Sequence, residues 1–185
     1  MRKHHFFPTV MKSTAAAAFL LTAVFSLLYR LTGWGWILSG AITAFTCCYH
    51  FAIRLLVGTL VPHWIRNPMQ HRWFHPKAFE AKLYEVLKVK CWKDHMPTYD
   101  PASFSLRENT LEQVVHNCCV SEAVHEVIIL FSFVPLVFAH WWDAFPVFLI
   151  TSVLAALFDC SFALIQRYNR PRLVRILAKK EAKAQ

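Results

Sequence analysis

Hydrophobic and polar positions alternate along the chain in blocks long enough to predict its elements. Four apolar runs have about the twenty residues that a helix needs to cross a hydrocarbon core of roughly 30 Å. They cover about residues 13–31, 34–61, 120–139 and 145–165. The second run is interrupted only by His50 and Arg54. Thr32 and Gly33 separate the first two runs, which predicts a tight helical hairpin. His140-Trp141-Trp142-Asp143 joins the last two. Trp34, Trp36, Trp141 and Trp142 fall at these two turns, so an aromatic belt is expected at one membrane face. The first run has a basic start, but Leu27 to Leu31 has no small-residue cleavage pattern. It is therefore read as a retained helix rather than a signal peptide.

The polar interval, residues 62–119, is not a plain spacer. Pro62 to Pro76 carries His63, Trp64, Arg66, His71, Arg72, Trp73, Phe74 and His75, a mixture suited to lipid headgroups. From Lys77 to Lys90, Phe79, Leu83, Val86 and Leu87 recur at helical spacing against lysines, which predicts an interfacial amphipathic helix. Leu111 to Val124 is expected to be helical and to run into the third span, with Asn109 or Thr110 as N-cap. In the basic tail, residues 166–185, Pro171 is expected to break the helix and bias Arg170 out of helical geometry. The predicted fold is an all-α integral membrane protein of four transmembrane helices. A cytoplasmic, interfacial helical segment lies between the second and third, and the whole forms a single domain.

Composition supports this reading. Of 185 residues, 56% are hydrophobic and 17% charged, against about 45–50% and 25% for soluble domains. That excludes a disordered chain and a disulfide-rich secreted scaffold. The net charge is +9, but 16 Phe and 7 Trp point to a membrane rather than nucleic acid as the partner. The basic residues gather at the N-terminus (Arg2, Lys3, Lys12), in the polar interval and in the tail. The positive-inside rule then predicts a multi-pass cell-membrane protein with both termini cytoplasmic, facing anionic lipid headgroups. The adjacent pairs Cys47-Cys48 and Cys118-Cys119 suit reduced thiols better than a zinc site.

Ionisable residues inside spans are costly and mark functional candidates. Here they are His50, Arg54, Glu122, His125, Glu126 and Asp159, all expected in the cytoplasmic half of the membrane. Glu122 and His125, at i and i+3, share a helical face. A carboxylate beside an imidazole makes a general base, which could take a proton from a hydroxyl attacking a thioester. Arg54 would pair with Asp159 or stabilise the oxyanion, a contribution of about 3–4 kcal/mol. Arg54 and Asp159 as a structural ion pair, with histidines satisfying carbonyls, is the plainer alternative for each residue alone. His95 and Asp100 form a His-x-x-x-x-Asp, a secondary candidate, as are Asp159 and His50. His71, His75 and His116 with Glu122-x-x-His125 raise a histidine-box metal enzyme, but the only adjacent histidines are His4-His5, so no metal is expected. The tail string Gln166-Arg167-Tyr168-Asn169-Arg170 could grip phosphate by forked hydrogen bonds.

The octapeptide Gln166-Arg-Tyr-Asn-Arg-Pro-Arg-Leu173 after a hydrophobic span resembles the C-terminal signature of the glycosyl-4,4'-diaponeurosporenoate acyltransferases of bacterial carotenoid biosynthesis. Glu122-Ala-Val-His125, leading into a run with Pro135, and the pairs Trp92-Lys93 and Tyr99-Asp100 are further points of likeness. The resemblance covers roughly residues 75 to 178. It implies transfer of a fatty acyl chain from acyl-CoA or an acyl carrier to a sugar hydroxyl on a membrane-embedded glycolipid or terpenoid glycoside. No cofactor is expected beyond acyl-CoA as co-substrate. His125 would act as base oriented by Glu122, with Arg167, Asn169 and Arg170 on the donor phosphate and Trp92 and Lys93 at the entrance. A non-enzymatic scaffold or lipid-binding partner and a histidine-box metal enzyme remain the alternatives.

Overall fold

The computed structural model describes residues 6–142 and 144–184. Arg2, Lys3, the His4-His5 pair and Asp143 of the aromatic turn lie outside the described residues. The architecture is all helical: 84% helix, with no strand among the described residues. The helices are α1 (Phe6–Thr32), α2 (Gly35–Trp64), α3 (Glu80–Val86), α4 (Val89–Trp92), α5 (Leu111–Phe131), α6 (Ala139–Trp142) and α7 (Phe145–Ala184). Four stretches, Phe7–Thr32, Gly35–Trp64, Leu111–Trp142 and Phe145–Lys183, are long and apolar enough to cross a membrane. The chain divides into two compact units, Met1–Thr59 with Val127–Phe158, and Leu60–Glu126 with Asp159–Gln185.

In the first unit the α1–α2 hairpin turns where the sequence places it. Gly33 takes φ 70° and its N–H donates to the Tyr29 carbonyl at 2.8 Å, the left-handed stop that glycine adopts without a Cβ clash. Gly40 lets the Phe25 ring approach, a Cβ there meeting it at 3.5 Å. Ile42, Ala139 and Phe148 form the buried core, with Leu38, Phe45, Leu136 and Phe138 packed on it. Phe45 meets Phe138 edge-on at 5.3 Å and Trp142 at 5.5 Å, a favoured geometry for aromatic quadrupoles. Hydroxyls bond back to their own helices: Thr22 to Ala18, Thr46 to Ile42 and Thr151 to Val147, at 2.7–2.8 Å. In lipid a hydroxyl must find such an internal partner. Most of the α1 surface (Phe19, Leu20, Val24, Leu27, Leu31) is exposed, as a lipid-facing helix requires.

The third span is not one α-helix. Pro135 cannot donate a backbone hydrogen bond, and after Phe131 the chain passes into a 3₁₀ stretch, Val134–Phe138, before α6. The carbonyl freed at the end of α5 is taken by Tyr49, whose hydroxyl donates to the Phe131 oxygen at 2.8 Å.

In the second unit, α5 begins as its sequence predicts. The Gln113 N–H donates to the Thr110 hydroxyl at 3.2 Å and the Thr110 N–H to the Gln113 side chain at 2.8 Å, a reciprocal capping box. Two expectations fail here. The amphipathic helix over Lys77 to Lys90 is two short helices, because Lys88 is left-handed (φ 48°). Trp92 fixes the break, its indole N–H donating to the Leu87 carbonyl at 2.9 Å. The break buries Val89 completely and leaves Phe79, Val86 and Leu87 exposed. Nor does Pro171 end the fourth helix: α7 continues through it to Ala184, with Arg170 helical. An interior proline costs about 3 kcal/mol; in the turn before it Arg167 and Arg170 are both held by carboxylates.

Candidate active site

The ionisable residues of the second unit are gathered by three helices. α3 supplies Glu80, α5 supplies Glu122, His125 and Glu126, and α7 supplies Asp159, Arg167 and Arg170. The i, i+3 spacing that puts Glu122 and His125 near one face does not make them partners. His125 Nδ1 instead lies 2.9 Å from an Asp159 carboxylate oxygen. Asp159 is almost fully buried, whereas about a fifth of the His125 side chain is accessible. The imidazole stacks on Phe162 with ring centroids 5.0 Å apart and planes 16° from parallel, and no described residue hydrogen-bonds its Nε2. Thus the expectation that Glu122 orients His125 is corrected. The carboxylate one turn before Phe162 on the facing helix reaches the ring, because a cross-helix partner can lie in the ring plane.

Glu122, wholly buried, holds the two arginines. Its Oε1 accepts from Arg167 Nη1 at 3.0 Å, and its Oε2 accepts a hydrogen bond from Arg170. Arg167 is a hub: Nε donates to Glu80 at 2.8 Å, Nη1 also reaches Glu126 at 3.5 Å, and Nη2 donates to the Trp73 carbonyl at 3.2 Å. Glu126 in turn accepts from the Trp73 indole at 2.8 Å. Arg170 is buried, with its guanidinium 5.3 Å over the Phe74 ring. Only the rigid guanidinium fork presents enough donors to bind three carboxylates and a carbonyl at once. Glu80 also accepts from the Tyr84 hydroxyl at 3.1 Å. Burial first, then the Glu80 charge, push that phenol well above its usual range, so Tyr84 stays neutral and donates. The expectation that Arg167 and Arg170 grip a donor phosphate is therefore not met by their placement; carboxylates already neutralise them.

The signature octapeptide is split between helix faces by its own periodicity. Arg167 and Arg170 face the carboxylates. Gln166 and Asn169, with Ile165, Arg172 and Leu173, line a groove of about 480 Å³, closed by Lys93, Asp94, Met96, Thr98, Phe104 and Leu106 on one side and Val114 and Cys118 of α5 on the other. Tyr168 points elsewhere, edge-on to Tyr84 at 5.2 Å, and accepts from Arg172 Nη2 at 2.6 Å. Of the entrance pair, Lys93 lines this groove, while Trp92 caps the α3–α4 break. Asp100 caps a 3₁₀ turn, accepting from the Ala102 N–H at 3.2 Å and from the Ser103 hydroxyl, and no hydrogen bond joins it to His95. In the first unit, Arg54 donates to the His50 carbonyl at 2.7 Å and the Ala155 carbonyl at 3.3 Å. His50 is buried, its ring 5.5 Å from Tyr49. Sequence reasoning missed Glu80 and Trp73, which lie 87 and 94 residues from Arg167 and carry no local motif. Glu80 shares its segment with Glu85 and several lysines, so nothing in the sequence set it apart. Among the described residues, no three His, Cys, Asp or Glu side chains are grouped so as to hold a metal ion.

Four apolar spans, together with a buried carboxylate–arginine network and a histidine–aspartate pair in the second unit, define an all-α integral membrane protein with an ionisable centre. Comparison with curated proteins and with solved structures found no match. The sequence pattern of the glycosyl-4,4'-diaponeurosporenoate acyltransferases matches residues 70–179, more than half of the chain. The chain belongs to that family, and it is a membrane acyltransferase. The family implies, in general terms, a glycolipid acceptor and an acyl donor. The matched region contains every residue of the carboxylate–arginine network and the His125–Asp159 pair.

Proposed function

We propose that this protein moves a fatty acyl chain from a thioester donor, acyl-CoA or an acyl carrier, to a hydroxyl of a membrane-embedded glycolipid or terpenoid glycoside, with His125 as general base. The observation that carries the reading is the 2.9 Å contact between His125 Nδ1 and buried Asp159. With Asp159 accepting the Nδ1–H, the basic lone pair sits on Nε2, on a side chain about a fifth of which is accessible. The acceptor hydroxyl gives its proton to Nε2 as its oxygen attacks the thioester carbonyl and a C–O bond forms. The tetrahedral intermediate then collapses, the C–S bond breaks, and the departing thiolate takes the proton back from the imidazolium. No net charge or proton is left on the enzyme. Asp159 is a positioning residue, and the network around Glu122 and Arg167 holds α3, α5 and α7 so that the pair keeps its geometry.

The basic termini and polar interval support a cell-membrane location with both termini in the cytoplasm, where thioester donors are found. The exposed apolar residues Phe79, Val86 and Leu87, beside Lys77, Lys82 and Lys90, suit an anionic lipid surface. The test is the full chain in liposomes containing candidate glycolipids, supplied with long-chain acyl-CoA or acyl carrier protein. Wild type should yield a product heavier by one acyl group, and His125→Ala should lose about 10²–10⁴-fold in kcat. Full turnover by that variant would rule out His125 as base.

A further inference from the structure

The groove beside α7 has no role in the proton transfer described above, yet its position along the helices relates it to the reacting pair. On α5, Cys118 lines the groove and His125 lies seven residues on. On α7, Gln166 lines it and Asp159 lies seven residues back. Seven residues are two helical turns, about 10.5 Å of rise, and keep nearly the same face. Because α5 and α7 run antiparallel here, both intervals lead the same way. The groove therefore lies along the same pair of helices as the imidazole, two turns from it.

Its lining changes character along the way. Buried Val114 and Cys118, with Ile165, give an apolar wall. Gln166 and Asn169 bring side-chain amides that hydrogen-bond to no described residue, so their donors and acceptors remain for a ligand. At the groove's edge Lys93 and Arg172 supply two cations against the single Asp94 carboxylate, which pairs with Lys93 at 2.7 Å. Arg172 spends one N–H on Tyr168 and keeps the rest of its fork. A slender ligand with an anionic end, secondary amides along its length and a sulfur-bearing tip would match this order of contacts.

We infer that the groove receives the 4'-phosphopantetheine arm of the donor: its phosphate at Lys93 and Arg172, its amides on Gln166 and Asn169, its thioester toward His125. This rests on the acyl-transfer reading and assigns the donor side of that site. The arm is common to acyl-CoA and acyl carrier protein, so the groove serves either source.

The test measures binding apart from turnover. Labelled 4'-phosphopantetheine and a non-reactive thioether analogue of long-chain acyl-CoA are titrated against the full chain in lipid nanodiscs. Lys93→Glu and Asn169→Leu should each weaken both ligands about tenfold, the loss of one charge-assisted or amide contact. Lys93→Arg should restore binding, which shows that Lys93→Glu failed through charge and not through folding. His125→Ala should bind as wild type does. Equal binding by wild type, Lys93→Glu and Asn169→Leu, or no binding of either ligand, overturns the groove assignment and leaves His125 as base untouched. Normal turnover by His125→Ala, with the groove variants still weakened, removes the base and keeps the groove. If Lys93→Glu weakens the acyl-CoA analogue but not 4'-phosphopantetheine, the contact is to the nucleotide and the arm assignment falls. Competition by free CoA against transfer from acyl carrier protein then tells which source is used.

Discussion

Replacing Glu122 by Gln separates two roles that one carboxylate can have beside a histidine. If Glu122 tuned His125, the change would strike turnover first. The structure gives it a different task, since both of its oxygens are taken by arginines. After Glu122→Gln, Arg167 still has Glu80 at 2.8 Å and Glu126 at 3.5 Å. Arg170 keeps no other carboxylate among the ion pairs of the second unit, and it is only 3% exposed. One buried guanidinium is thus left without a counter-charge, and removing one partner of a buried pair costs about 3–5 kcal/mol. For a chain of this size each kcal/mol shifts Tm by about 2–4 °C, so a loss of roughly 6–20 °C is expected. The assay is thermal unfolding of the detergent-purified chain, followed by tryptophan fluorescence. The double variant Glu122→Gln, Arg170→Gln removes the orphaned charge with the carboxylate and should regain most of the loss. Wild-type Tm in the single variant, or no recovery in the double, would refute the reasoning.

Asp159→Asn should lower kcat by about 10²–10⁴-fold with KM little changed, because it frees the imidazole to adopt the other tautomer. Asp159→Glu should partly restore kcat, which a purely structural carboxylate would not do selectively. Gly33→Ala forces an alanine to φ 70° and should cost about 1 kcal/mol, read as lowered Tm. Lys88→Gly relieves a left-handed non-glycine residue and should raise stability by about 0.5–1 kcal/mol. Pro171→Ala should keep activity and leave Tm equal or higher, since α7 is already helical there; loss of activity would show that the proline itself shapes the site.

The four apolar spans, the hairpin at Gly33 and the start of α5 at Thr110 were legible in the chain itself, because each is set by neighbours in sequence. Hydrophobic length measures a bilayer, a glycine permits one backbone conformation, and a capping box needs residues three apart. The residues of the candidate centre stood out by type, since His125, Glu122, Asp159, Arg167 and Arg170 are all anomalous in or beside apolar helices. Their pairing was not. Helical periodicity brings Glu122 and His125 near one face, but the tertiary structure gives the histidine to Asp159, 34 residues away, and Glu122 to two arginines more than 40 residues away. Local rules also foretold a break at Pro171 and a single helix over Lys77 to Lys90. Long-range contacts reversed both, by anchoring Arg167 and Arg170 on carboxylates and by burying Val89 past a turn at Lys88. Sequence thus determined which groups must leave water for the membrane and roughly where. Which charge meets which was decided only by packing, because a buried ion is stable only beside the partner that three dimensions bring to it.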